Sequence, residues 1–163
     1  MLKNEKISNI LSMAMLFILS SLFAMSVFNR PEMSAQLAQL KELFAKNINV
    51  ILVLSVVTGI TVSILLLVEY YIGKMLLYVF FKNVKAEFSP YIMSKSLAII
   101  VNTSLLSAFH IYNPLIFAII AVIASILAIF FHFTNSNKFL PSLVFVSPLI
   151  VDSVFSLVKV LIK

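Results

Sequence analysis

Residues Ile48–Phe81 read I-N-V-I-L-V-L-S-V-V-T-G-I-T-V-S-I-L-L-L-V-E-Y-Y-I-G-K-M-L-L-Y-V-F-F, a run of 34 residues whose only charged side chains are Glu69 and Lys74. The hydrocarbon core of a bilayer is about 30 Å thick and takes about 20 apolar residues as helix. At 1.5 Å per residue the whole run makes a helix of about 51 Å. The span is therefore placed at 48–68, with helix continuing to 81 at the level of the head groups. Tyr70, Tyr71 and Tyr78 suit that level, where a ring sits in lipid and its hydroxyl in water. A re-entrant segment over 72–81 is the alternative, although nothing near Gly73 looks like a loop.

The rest of the chain agrees with a membrane location. Of 163 residues, 62% are hydrophobic and 11% charged, with mean hydropathy +1.12. Soluble domains carry about 25% charged residues, so this chain cannot coat a soluble globule. The net charge of +6 comes from Lys and Arg at the ends of apolar runs. That placement suits anchoring at lipid head groups and gives no sign of a nucleic-acid partner. The absence of Cys excludes disulfides, thiolate nucleophiles and Cys-based metal sites.

Four further spans are expected, at 8–28, 96–110, 115–133 and 141–162. The first is longer than a signal-peptide core, and Ala24 and Ser26 make a poor cleavage site, so it reads as a retained span. Between the first two spans, at 30–46, Met33, Leu37, Leu40 and Phe44 recur on one helical face among polar residues. Asn29 and Glu32 resemble a helix cap around Pro31. This predicts an amphipathic helix, either lying at the membrane surface or capping the bundle ends. Lys82–Lys95 reads as the most polar loop, because Pro90 disfavours helix at Ser89. The third span carries Asn102, Thr103, Ser104 and Ser107, and is expected to be buried among the other helices. Asn113-Pro114 marks a tight turn between antiparallel neighbours. The expected fold is all-α: one polytopic transmembrane bundle over 1–163.

Charge bias sets orientation. With an inside N-terminus, Lys3, Lys6, Lys74, Lys82, Lys85, Lys95 and Lys138 lie inside, against Arg30, Lys41, Lys46, Lys159 and Lys163 outside. The N-terminus is therefore placed inside, in a cytoplasmic membrane.

The catalytic inventory is thin. No metalloprotease, serine-hydrolase or phosphate-loop motif is present, and two Gly argue against nucleotide binding. No enzymatic activity, metal or cofactor is expected. Ionisable residues inside a bilayer are functional candidates by default, because burying their charge is costly. Asp152, the single Asp, sits in the fifth span after Pro148. It is either a proton or cation site, with His132 or Lys74 as partner, or a helix-packing residue bonded to Asn102 or Ser104. His110 and His132 fall near opposite faces and read as interfacial histidines. Ser55, Gly59 and Ser63 form a small-residue face at four-residue spacing, and Ala124 and Ala128 form a second. Such faces let helices approach closely, within the chain or in a homo-oligomer.

Glu69-Tyr-Tyr-Ile-Gly73-Lys, Phe80-Phe81 and Phe88-Ser-Pro90-Tyr91, set among five spans, resemble the Ypt-interacting-protein (Yip) family of five-span membrane proteins in its short bacterial form. The resemblance covers 48–163 and lacks the soluble N-terminal region of eukaryotic members. It implies a non-enzymatic role in membrane organisation or trafficking. In Gram-positive bacteria it further implies work beside an ABC exporter, or immunity to toxic peptides. The residues themselves leave two functions open. One is an accessory factor acting beside another membrane protein. The other is a transport or substrate-binding component with a polar cavity lined by Asp152, Asn102 and Ser104.

Overall fold

The computed structural model describes residues 2–43 and 49–162, with side chains described from Ile7 onward except at 35, 36 and 41–43. Among the described residues it is all helix: α1 (Leu2–Phe28), a 3-10 turn (Pro31–Met33), α2 (Ser34–Leu43), α3 (Val50–Phe80), α4 (Ser89–Ala108), α5 (Pro114–Ser136) and α6 (Phe139–Ile162). Five of these, α1 and α3–α6, are long and apolar enough to cross a membrane. The chain is an integral membrane helix bundle.

The five long helices close into a ring. Helix α1 packs on α3 and α4, α6 packs on α3 and α5, and α5 also packs on α4. Leu16, Leu66, Leu77, Tyr91, Phe145, Val146 and Leu149 fill the centre. Lipid tails are as apolar as these side chains, so shape and polar contacts set the packing.

Local chemistry explains the element ends. Asn49 caps α3 by accepting from the Leu52 N–H at 3.2 Å. Asn113 caps α5 by accepting from Leu115 and Ile116, and Pro114 follows in the first turn. Asn137 ends α5 at φ 52°, its N–H donating to the Phe133 carbonyl at 2.8 Å. Asn is one of the few residues that tolerates this left-handed cap. The α5–α6 connection is thus shorter than the polar stretch 134–138 suggests.

Three expectations change. Helix α3 runs unbroken to Phe80, which removes the re-entrant alternative. Helix α4 begins at Ser89, seven residues before the expected 96, because Pro90 sits in its first turn, where no helical N–H partner is needed. The Asn29–Glu32 cap is not made: Arg30 occupies the cap position with no side-chain bond. The Arg30 guanidinium instead donates to the Leu106 carbonyl at the end of α4, at 2.9 Å. A cation there meets the negative end of the helix dipole. Of the amphipathic segment 30–46, the turn and α2 cover 31–43, α2 contacts α3, and 44–46 lie outside the described residues.

Candidate functional site

Spacing on three helices builds the site. Glu69 and Gly73 are one turn apart on α3, Tyr91 and Lys95 one turn apart on α4, and Phe145 and Asp152 two turns apart on α6. Each pair therefore shares a helix face. The ring turns these faces inward and stacks two layers.

The first layer is charged. The Lys95 ammonium donates to Glu69 Oε1 at 3.2 Å and to Asp152 Oδ2 at 3.0 Å. One side chain from α4 thereby ties α3 to α6, although α3 and α4 are not packed neighbours along their length. The Glu69 side chain is 9% exposed, that of Lys95 22% and that of Asp152 40%. Glu69 stands about 17 Å along α3 from its end at Phe80, and Asp152 about 20 Å along α6 from its start at Phe139, at 1.5 Å per residue. The two carboxyl groups therefore lie well inside α3 and α6, and Lys95 joins them from about 9 Å inside the start of α4 at Ser89. A charged residue at a span centre costs about 2.5–3.5 kcal/mol on insertion scales, which explains the pairing.

The second layer is aromatic. The Tyr91 hydroxyl donates to the Phe145 carbonyl at 2.5 Å. Phe145 lies three residues before Pro148, in the turn that a helix-interior proline disturbs. The carbonyl that Pro148 leaves without its helical donor, that of Val144, takes the Ser147 hydroxyl at 2.8 Å. Tyr70, Tyr91, Phe145 and Phe88 pack edge to face, with ring centroids 4.8–6.0 Å apart. Gly73 admits this layer, since a Cβ there would stand 2.2 Å from the Tyr91 hydroxyl and 2.3 Å from the Phe145 carbonyl.

His132 occupies a polar pocket of about 200 Å³ where α5 ends, with Lys85, Glu87, Asn135 and Lys138. Its Nδ1 meets Ser142 Oγ at 2.8 Å and its Nε2 meets the Lys85 carbonyl at 3.1 Å. The ring pins the α3–α4 loop to the start of α6.

The residues singled out from the sequence separate into distinct places. Asp152 pairs with Lys95, and its bonds run to neither Asn102, Ser104, His132 nor Lys74. Asn102 is buried and offers Nδ2 to the Phe117 carbonyl at 3.5 Å. Ser104 is exposed and bonds back to the Ile100 carbonyl of its own helix. Lys74 is exposed. The third span is the most buried of the five, as its polarity predicts, yet its hydroxyls bond within α4. Ser55 and Gly59 are buried and Ser63 is half-buried. Gly59 faces Phe17 and Ser21, so this small-residue face packs within the chain, on α1. Ala124 and Ala128 are buried, and Ala128 joins the core with Phe145.

No family model, curated protein or solved structure matches the chain. Among the described residues, no group of three His, Cys, Asp or Glu side chains could hold a metal ion.

Sequence reasoning missed Lys95 and Glu69 as partners of Asp152. The signal was present: with helix started at Pro90, Tyr91 and Lys95 fall on one face, and Lys95 becomes an intramembrane base opposite two intramembrane acids.

Proposed function

We propose that this chain is a non-catalytic membrane factor that acts beside other membrane proteins, as an accessory, organising or immunity-type subunit such as one serving an exporter. The filled interior is the observation that carries this reading. At the level of the charged cluster and the turn beside it, Tyr91, Phe145, Leu66 and Leu149 are buried, and the Lys95 side chain crosses the remaining space. The apolar grooves among the described residues lie on the outside of the bundle, one beside Tyr71 and Tyr78 and another beside Asp152. The competing transport reading asks for Asp152, Asn102 and Ser104 around one polar cavity, and their bonds run to three different places. The resemblance to the Yip family points the same way.

The proposed setting is a bacterial cytoplasmic membrane with the N-terminus inside. Lys74, Lys82, Lys85 and Lys138 are exposed at the end where α3 and α5 finish and α4 and α6 begin. The positive-inside rule assigns that end to the cytoplasm. Single cysteines at Ser136→Cys and Asn113→Cys test this directly. The first should label from the inside only and the second from the outside only. Labelling of both from one side would break the topology.

The functional test uses the purified chain in sealed liposomes. With an imposed potential and a pH-sensitive dye inside, vesicles holding the protein should leak protons and alkali cations no faster than empty ones. In host membranes, a photo-crosslinker on the exposed side of α5 at Ile123 should give a discrete protein adduct. Flux above the empty-vesicle rate, or adducts with lipid alone, would overturn the proposal.

A further inference from the structure

The charged cluster does not balance. Two carboxyl groups face one ammonium, leaving one negative charge among buried spans if both acids are ionised. The excess falls where solvent reaches least. Glu69 Oε2 is buried, and no donor among the described residues reaches it. The side chain that carries it is more than nine-tenths buried, at 9% exposure. Buried polar atoms without partners are uncommon, and each needs a physical account.

The Glu69 and Asp152 carboxyl groups are also brought side by side, because both meet the same Lys95 ammonium, at 3.2 and 3.0 Å. Two carboxylates repel, and contact between carboxyl groups is a hydrogen bond only when one of them carries a proton. We propose that Glu69, Lys95 and Asp152 form a binding site for a single proton, shared between the two carboxyl groups. The proton supplies the donor that Glu69 Oε2 lacks. With the Lys95 ammonium it brings the cluster to zero net charge.

A metal cation is the other way to balance the charge, and the geometry favours the proton. Hard cations such as Ca²⁺ take six or more oxygen ligands. This cluster presents the oxygens of two side chains, one of which already holds an ammonium. A proton needs only two oxygens.

Among the described side chains, no second base pairs with either carboxyl group. On α3 the nearby titratable groups are Tyr70 and the exposed Lys74. Helix α4 contributes Tyr91 with Lys95, and α6 contributes Lys159 with Asp152. Residues 7–28 of α1, packed on α3, contain no charged side chain. The α2 charges Lys41 and Glu42 lie outside the described side chains. The open side of the site is Asp152, whose side chain is 40% exposed. It opens on an outward groove of about 480 Å³ between α3 and α6, walled by Ile72, Pro148, Val151 and Phe155. The proton enters as a hydronium ion loses it to the carboxylate pair, and leaves by the reverse step. No bond other than O–H forms or breaks.

The site is independent of the role proposed above, and its test reads protonation itself. The full chain is placed in lipid nanodiscs, and the infrared C=O stretch of protonated carboxyl groups is measured at neutral pH, in sodium and in sodium-free buffer. Wild type should show one protonated carboxyl per chain in both buffers. Glu69→Gln and Asp152→Asn each leave one acid facing Lys95, so each should show none. Lys95→Gln leaves two acids without a base and should show two. If Lys95→Gln does not fold, wild type and the two near-isosteric amides decide the matter, with size-exclusion profiles as the fold control. Absence of the band in wild type, or its survival in either amide variant, overturns the proposal. A wild-type band seen only without sodium also overturns it, because a metal cation then holds the place.

Discussion

Helix α3 carries both glycines of the chain, and they sit in opposite kinds of surroundings. Gly59 faces α1, where a Cβ would meet Ser21 Oγ at 2.1 Å and the Phe17 ring at 3.0 Å. Gly73 faces α4 and α6, where a Cβ would meet the Tyr91 hydroxyl and the backbone carbonyl of Phe145. Around Gly59 the neighbours are side-chain atoms, and one is a hydroxyl that a single rotation moves away. Around Gly73 they are a fully buried ring bonded to a helix backbone. The same residue type thus marks a tolerant contact in one half of α3 and a fixed one in the other. The fixed half also holds the charges, so polar bonds determine its geometry. In the α1 half, Ser20 bonds back into its own helix and Ser21 Oγ has no partner among the described residues. There the contact is held by shape.

The largest effect should come from Lys95→Met, which removes the one base and leaves Glu69 and Asp152 facing each other. Breaking a buried pair by deleting one partner costs about 3–5 kcal/mol. The partial exposure of Asp152 puts this case at the lower end, about 3 kcal/mol. For a chain of this size that is a drop of about 2–4 °C in melting temperature per kcal/mol, read by circular dichroism in mild detergent. The loss should grow as the pH is raised above neutral, because the two stranded carboxyl groups then ionise with no base between them. A pH-independent loss would show that Lys95 acts through its stem and not its charge.

Gly73→Ala should come next. Alanine gains about 1 kcal/mol over glycine in a helix interior. Against this, overpacking a filled core costs about 1–3 kcal/mol. The obstruction here includes backbone and a buried Tyr, so the upper figure applies and the net loss is about 2 kcal/mol. Adding Tyr91→Phe removes the hydroxyl nearest the new Cβ, so the double variant should lose less than the two single losses added together. Such coupling is expected of residues in contact. Strict additivity would mean that Gly73 and Tyr91 do not meet as described.

The two halves were not equally legible in the sequence. The five spans follow from run length alone, because lipid requires about 20 apolar residues whatever they pack against. Ser55, Gly59 and Ser63 were readable as a packing face, since small residues at four-residue spacing carry that meaning wherever they occur. The charged cluster was not readable, for two physical reasons. Pro90 has two meanings, breaker or first-turn residue, and the wrong one moved Lys95 into a loop. The order of helices around the ring also decides which faces meet, and nothing in an apolar pattern states that α6 returns beside α3. Asn102 and Ser104 drew attention by polarity, but hydroxyls in a spanning helix commonly bond to their own backbone. Polarity in α4 therefore marked burial of the helix and not the address of a site.

The smallest effect belongs to Gly59→Ala, and it sharpens the comparison most. The new methyl displaces Ser21 Oγ, which makes no hydrogen bond among the described residues. The Phe17 ring must give by a few tenths of an ångström, and Phe17 is only half-buried, so space exists for it. A cost of about 1 kcal/mol at the low end of overpacking meets a helix-propensity gain of about the same size. The expected change is therefore within about 0.5 kcal/mol of zero, a melting shift close to the error of measurement. Gly59→Leu, which no rotation of Ser21 can accommodate, should separate α1 from α3 and lower stability clearly. If Gly59→Ala destabilises as strongly as Gly73→Ala, the α1 contact is as rigid as the aromatic layer. The distinction between a half held by shape and a half held by polar bonds then fails.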